Sequence, residues 1–363
     1  MAKHVAQLTS ARIVSCLSGQ GSRVLLSSFR RHNTTGPSPT PSPKPRRIAA
    51  FTLTVFAGLT AAYFFWPDRH RGAPTIAHQP LSPTYFTPLT VIASEPCGPS
   101  LKLLTLHVPL ECLPSTDDPT FPLPIWSIYV KDDDIQVERP YTPLEGIDAD
   151  GNIKLWVKKY QHGEVGRWLH TKKPEDQIEV RGPLITLPTH GKDWEEVVLI
   201  SGGTGFSPFY QLLHHSLLQD LSPDKQTRYT LIHCSRTQDE LPPSQYLQPL
   251  LEYAERYPER LRLHLFVDDF PEKPRYDLKR GKIGTQEIQD CIGLPPGGRQ
   301  SWLRLPWSPQ GDFRRDGKIL VAVCGPEPMI AAVAGPYGRN YSQGSVGGAL
   351  AQLGFKLEEI YKL

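Results

Sequence analysis

The sequence predicts a chain in three parts: one apolar segment near the N-terminus, a six-stranded antiparallel β-barrel, and an α/β domain built on a parallel sheet. Three observations carry this. Residues 48–66, IAAFTLTVFAGLTAAYFFW, run for nineteen residues without a charge, about the length of a helix that crosses a hydrocarbon core. Between residues 86 and 187, short apolar runs are divided by Pro, Gly and Asp clusters, the pattern of antiparallel strands. From Trp194 onward strand-like and helix-like runs alternate, which predicts parallel strands joined by crossovers.

Residues 1–67 hold eight Lys/Arg and no acidic residue. Arg12, Arg23, Arg30 and Arg31 alternate with apolar and serine residues, which suits an amphipathic mitochondrial presequence; the plainer alternative is a disordered basic tail. GPSPTPSPKPRR follows, a Pro/Ser linker that cannot build a core. Tyr63 and Trp66 then suit an interfacial aromatic belt around a single transmembrane helix, with Lys44, Arg46 and Arg47 on its N-terminal side. In a mitochondrial inner membrane that basic flank faces the matrix and the long C-terminal part the intermembrane space, although Arg69 and Arg71 oppose this orientation. The lipid bilayer is thus an expected partner through residues 48–66, and nucleic acid is not. Beyond residue 67 the chain has 32 basic against 37 acidic residues, an excess that needs only solvent but would attract a basic partner. Six cysteines show no C-x-x-C and no metal spacing. The implied divisions are a presequence and linker over 1–47, the membrane helix over 48–66, a linker over 67–85, the barrel over 86–190 and the α/β domain over 191–363.

Expected barrel strands lie at 89–93, 101–107, 126–130, 152–160 and 177–181, with a proline-rich loop over 109–124. In the second block, strand VVLIS precedes helix PFYQLLHHSLL, RYTLIHCS precedes QYLQPLLEYAERY, and LRLHLFVDD precedes a short helix near residues 285–293. KILVAVCG and PEPMIAAVA close the series. The polar stretch 297–317 reads as a surface insertion.

Strand VVLIS ends in GGTGFSP. Glycines after a strand let backbone approach a pyrophosphate, and the next helix offers N–H groups to an anion. Ser207 is placed to cap that helix and Pro208 to start it. Alone, the loop is equally a tight turn needing positive φ. Two further motifs bear on it. Arg139-Pro140-Tyr141-Thr142 offers a phosphate partner, a flat ring and a hydroxyl. Cys324-Gly325-Pro326-Glu327-Pro328-Met329 follows the last strong strand.

In this order, together with VKKY and RGP, these motifs resemble the ferredoxin-reductase-like flavoproteins, most closely the NADH-cytochrome b5 reductase branch. The resemblance covers residues 86–363 and implies a barrel that binds FAD and an α/β domain that binds NADH or NADPH. It gives Arg139 to the flavin pyrophosphate, sets Tyr141 against the isoalloxazine with Pro140 beside it, and puts Thr142 near N5. Val157, Lys158 and Tyr160 match the strand whose backbone and lysine contact the flavin and its ribityl phosphate. Gly163, Glu164 and Val165 would offer N–H groups to the pyrophosphate. Gly203, Thr204 and Gly205 resemble the nicotinamide-nucleotide pyrophosphate site, with Ser207 and Pro208 near the nicotinamide. Cys324, Gly325 and Pro326 would border the nicotinamide opposite the flavin, and Thr142, Ser207 and Cys324 would shape the hydride contact. Where the family usually has Ser, this chain has Gly166, and a hydroxyl ligand for the phosphate is lost. Arg236 could read a ribose 2′-phosphate, yet similar Ser-Arg pairs occur in NADH users, so the choice stays open with a lean to NADH. No nucleophile or metal is required.

The tail AGPYGRNYSQGSVGG, inserted before the C-terminus, is by composition a solvated loop. With the presequence, the single anchor and the ending YKL, it is also similar to the fungal mitochondrial import factors for cytochrome c. That resemblance implies reduction of haem or a haem protein in support of haem attachment to apocytochrome c by haem lyase. Two other readings stand beside it: an anchored NADH-cytochrome b5 reductase serving lipid metabolism, and a flavin-holding assembly scaffold without turnover.

Overall fold

The computed structural model describes residues 73–114, 125–132, 136–187, 194–219, 227–294 and 318–363. The expected presequence, the apolar segment 48–66 and the stretch 297–317 lie outside the described residues. Among those described, no helix is long and apolar enough to cross a membrane.

The first sheet contains β1 (Thr87–Gly98), β2 (Leu101–His107), β3 (Trp126–Lys131), β4 (Glu138–Tyr141), β5 (Asn152–Lys158) and β6 (Gln177–Ile185). Its order is β4-β3-β6-β1-β2-β5, antiparallel throughout. Period-two alternation decides which side chains face which core. Leu104, Leu106, Ile153, Leu155 and Val157 point into the sheet's own interior. Leu101, Leu103 and Trp156 point the other way, into a second core shared with the parallel sheet. The edges β4 and β5 are drawn together just past β4, where the Leu144 N–H donates to the Lys154 carbonyl at 2.9 Å and Ile147 bridges Ile153. Helix α1 (Glu164–Leu169) follows β5.

The second sheet contains β7 (Glu196–Gly202), β8 (Arg228–Ser235), β9 (Leu261–Val267), β10 (Leu278–Arg280), β11 (Ile319–Cys324) and β12 (Ile360–Lys362). It is parallel, in the order β10-β9-β8-β7-β11-β12. All seven residues of β7 are buried, as expected of a central strand covered on both faces. One face carries α2 (Phe206–Leu213) and α3 (Ser244–Arg256). The other carries α4 (Thr285–Ile292), α5 (Glu327–Ala334) and α6 (Gly348–Gln352).

The architecture agrees with the expected antiparallel sheet followed by a parallel one. Differences are local. β1 and β6 are longer than expected, β5 ends at Lys158 before Tyr160, and α2 passes into a π-helical turn over His214–Gln219. β10 and β12 span three residues each, too short for periodicity to announce.

The inserted loop has a structural task. The Tyr337 hydroxyl donates to the Leu363 carbonyl at 2.6 Å, and the Gln343 amide both donates to and accepts from the Lys362 backbone at 2.9 and 2.6 Å. Lys362 is only 3% exposed, and its ammonium donates to the carbonyls of Pro336 at 2.8 Å and Ser345 at 3.3 Å. Strand β12 is thus held by the loop. Lys362→Met keeps the chain length but removes the donor for both carbonyls. It should lower unfolding free energy by about 2 kcal/mol, read as a lower urea midpoint with an unchanged slope.

Candidate functional site

In the parallel sheet the strand order reverses between β7 and β11, and the crevice beyond the carboxyl ends there is where open α/β sheets bind ligands. β7 runs into Gly203-Thr204-Gly205 and β11 into Gly325-Pro326. Gly203 has φ +54°, and no atom lies within 4 Å of where its Cβ would stand. Its backbone therefore faces open space. At Gly205 a Cβ would stand 2.4 Å from the Cys324 carbonyl oxygen, so the two loops meet backbone to backbone only because this residue is glycine.

The structure corrects the expected cap. Gly203–Gly205 form a 3-10 turn leading straight into α2, with Gly205 at the N-cap, and Ser207 and Pro208 are the second and third residues of the helix. Glycine adopts the helical φ/ψ early, so the helix starts before Ser207. Pro208 remains in the first turn, where its missing N–H leaves no bond unmade. Freed from capping, the Ser207 hydroxyl is buried and has no hydrogen-bond partner among the described residues. The Cys324 thiol is pushed up to about 12 by burial, which keeps it protonated and excludes a thiolate role near neutral pH.

On the barrel side, β4 carries Arg139, Pro140 and Tyr141, with Thr142 directly after it. Arg139 is exposed and donates to the Glu138 carbonyl at 2.8 Å, and it forms no ion pair among the described residues. Pro140 lies on the edge strand opposite Tyr129, a position in a sheet that tolerates a residue without an N–H. Tyr141 packs on the barrel core, and burial raises its hydroxyl above the ordinary tyrosine range. Gly163 caps α1, but its own N–H donates to the Tyr160 carbonyl at 3.2 Å. It is therefore not available to a pyrophosphate as expected, because the turn after β5 uses it. The N–H groups of Glu164, Val165 and Gly166 are in the first helical turn and have no intrahelical acceptor. Gly166 approaches β5 so closely that a Cβ there would stand 2.8 Å from the Lys158 carbonyl oxygen. No side chain fits, serine included, unless helix or strand moves.

Lys158 and Tyr160 reach across to the parallel sheet. The Lys158 ammonium donates to Glu240 Oε2 at 2.6 Å, both side chains largely buried. A flavin phosphate would have to share this lysine with that carboxylate. Burial raises the Tyr160 hydroxyl above its ordinary range, and Thr204 beside it partly opposes this. Arg236 is exposed, and its side chain makes no hydrogen bond or ion pair among the described residues.

Three buried polar groups escaped the sequence reading. Gln211, 4% exposed, accepts from the Trp126 N–H at 2.8 Å and donates to the Pro143 carbonyl at 2.9 Å. Glu240 holds Lys158. His233 is fully buried between two hydroxyls, with Nδ1 2.8 Å from Ser201 Oγ and Nε2 3.1 Å from Ser235 Oγ. Ser235 donates its hydrogen to the Glu240 carbonyl at 3.1 Å. It must then accept from His233 Nε2–H, and because burial keeps the ring neutral, Nδ1 accepts from Ser201. Burial, aided by the Lys158 charge, depresses His233 to about 3. The signal for Gln211 and His233 was present in the sequence: each is a polar residue inside an apolar run.

These residues fit FAD and a nicotinamide nucleotide: an arginine without an ion pair, first-turn N–H groups, an open glycine backbone and an orphaned buried hydroxyl. Together with the two sheets they define a flavin- and nicotinamide-dependent oxidoreductase. Comparisons with known proteins agree. Residues 124–188 match the Oxidoreductase FAD-binding domain family and residues 199–335 the Oxidoreductase NAD-binding domain family, together more than half of the chain. The NADH-cytochrome b5 reductase 2 of Debaryomyces hansenii is 30% identical over 226 residues, 62% of this chain and 66% of that protein. That of Scheffersomyces stipitis is 29% identical over 296 residues, 76% of this chain and 90% of that protein. Among solved structures, the cytochrome b5 reductase domain of Ulva prolifera nitrate reductase superposes with TM-score 0.56 at 19% identity, covering 78% of this chain and all of that one. The CS-b5R domains of human Ncb5or give 0.54 at 19% identity, covering 77% of this chain and 69% of that one. At that identity the structures attest the fold alone. The chain belongs to the cytochrome b5 reductase-like NAD(P)H flavin oxidoreductases.

Two outcomes follow from this geometry. Gly166→Ser, which supplies the hydroxyl usual in the family, should weaken retention of FAD rather than strengthen it, measured by flavin fluorescence titration. Below about pH 6.5 the unfolded chain protonates His233 while the folded protein refuses the proton until about pH 3. Stability should therefore fall with falling pH across that window, by up to ~1.4 kcal/mol per unit from this residue. His233→Phe should flatten the slope of unfolding free energy against pH, leaving the part due to His264, held at about 4, and to His170 and His214, which burial also lowers.

Proposed function

We propose that the chain oxidises NADH through bound FAD and passes electrons to a haem-type acceptor. The observation that carries this is the meeting of three features at the switch point: the open Gly203 backbone, the orphaned Ser207 hydroxyl and the Cys324 loop packed on Gly205. Bound FAD and nicotinamide nucleotide supply the hydride chemistry, and the protein contributes binding, alignment and electrostatics. Arg139 holds a phosphate by charge-assisted bonds. Gly203 and Gly205 admit the nucleotide backbone to backbone. Ser207 and Thr142 present hydroxyls to the two reacting rings, and the Cys324 loop walls the nicotinamide. NADH over NADPH is supported by the names of the relatives, with Arg236 as the residue that could reverse the choice.

The finer reading is an inner-membrane protein anchored by residues 48–66, with its redox part in the intermembrane space, serving haem attachment to apocytochrome c. What supports it is the acid-free basic N-terminal region, the uncharged nineteen-residue run and the acidic excess of the remainder. Anaerobic mixing of the FAD-loaded chain with NADH, followed by haem, cytochrome b5, or apocytochrome c with haem lyase, tests it. Flavin that does not bleach would leave only the scaffold reading, and transfer to cytochrome b5 alone would favour the b5 reductase reading. Protease access to mitochondria before and after rupture of the outer membrane tests the location. Ser207→Ala should slow flavin reduction at least roughly tenfold while leaving FAD affinity nearly unchanged. Arg139→Ala should do the reverse, weakening FAD binding by roughly one to two orders of magnitude.

A further inference from the structure

We infer that Gln211 is a positioning residue that sets the distance between the flavin-side strand end and the nicotinamide-side helix, through its bidentate bond to the Trp126 and Pro143 backbones. This rests on the reading above that Thr142 and Ser207 face the two reacting rings.

Ser207 and Gln211 are four residues apart on α2, so they project from one helix face. Pro143 is the residue after Thr142. The Gln211 amide is thus one helical turn from the nicotinamide-side hydroxyl and one peptide from the flavin-side hydroxyl. Both of its bonds reach the antiparallel sheet: Oε1 accepts from the Trp126 N–H at 2.8 Å, and Nε2 donates to the Pro143 carbonyl at 2.9 Å. Only this orientation of the amide satisfies a donor and an acceptor together. The next peptide is also fixed, since the Leu144 N–H donates to Lys154 on β5. The path after Thr142 is therefore pinned from two sides, by one side chain of the nucleotide domain and one strand of the barrel. The apolar contacts around it resist separation of the two sheets, but apolar surfaces are non-directional and allow sliding. A two-bond amide does not.

The charged groups on the elements packed nearby are Glu145 and Lys154, paired at 2.9 Å, and His214 on the next turn of the helix, 3.9 Å from Glu145. Wild-type Gln211 does not titrate, so its own rate-against-pH profile reports those groups. A glutamate at this position, when protonated, can donate to Pro143 and accept from Trp126 as the amide does. When ionised it sets a carboxylate oxygen against the Pro143 carbonyl.

The test uses the full chain, wild type, Gln211→Met and Gln211→Glu. It measures FAD affinity, anaerobic flavin reduction by saturating NADH from pH 5.5 to 8, NADH half-saturation, and amide exchange at Trp126 in flavin-free protein. Gln211→Met should exchange Trp126 faster and reduce its flavin roughly 10- to 100-fold more slowly, with FAD affinity and half-saturation nearly unchanged. Gln211→Glu should be slow at high pH and recover toward wild type as pH falls, beyond any change in the wild-type profile. If Gln211→Met does not fold, the pH profile of Gln211→Glu decides alone. A wild-type rate in Gln211→Met, a loss of FAD that accounts for the slower rate, or a Gln211→Glu profile parallel to wild type overturns the inference while the proposed function stands. Wild-type protein that binds FAD but is not reduced by NADH overturns both.

Discussion

All eight residues of helix α2 are buried, and the rest of the structure is organised around that constraint. A helix between a sheet and solvent buries one stripe. This one is enclosed by β7 on one side and by Leu101, Leu103, Leu144 and Trp156 of the antiparallel sheet on the other. Its Phe206, Phe209, Tyr210, Leu212 and Leu213 side chains each contribute about 1.5–3 kcal/mol on burial, and that burial is complete only when both sheets are in place. The helix is therefore the shared wall of the two halves. It is also the helix that begins at the glycine loop, so the element that joins the halves is the one that presents Ser207.

Apolar burial holds the halves together, and polar contacts orient them. Gln211 ties α2 to Trp126 and Pro143. Lys158 pairs with Glu240. Together they join the antiparallel half to helix α2 and to the turn that follows β8. Glu240 is in turn fixed through its carbonyl by the Ser201–His233–Ser235 chain, whose proton directions follow from the Ser235 donor with its single possible acceptor and from a ring kept neutral by burial. A neutral histidine satisfies this chain on both sides, accepting from Ser201 and donating to Ser235, and burial disfavours the charged ring.

Much of this was legible residue by residue. The change from period two to strand–helix alternation near Trp194 separates the two sheets, and the order of RPYT, VKKY, GGTGFSP and CGPEPM announces a flavin site and a nucleotide site. Short strands were not legible: β10 and β12 carry too few residues for a pattern. The helix start was misplaced at Ser207 because capping preference is local, whereas Gly205 begins the helix by adopting its dihedrals and by fitting against Cys324. Lys158 looked free because sequence spacing says nothing of a glutamate 82 residues away. Gly166 looked like a lost ligand, and the structure shows a place where no side chain fits.

The sequence by itself determined the class of chemistry, the two sheets and the order of the motifs along the chain. These are set by local pattern and by functional groups in a fixed order along the chain. Only the tertiary structure decided which of those groups are free and which are engaged. Availability depends on partners distant in sequence: the carbonyl that closes on Gly205, the carboxylate that takes Lys158, the backbone that Gln211 bridges, and the lack of a partner for the Ser207 hydroxyl among the described residues.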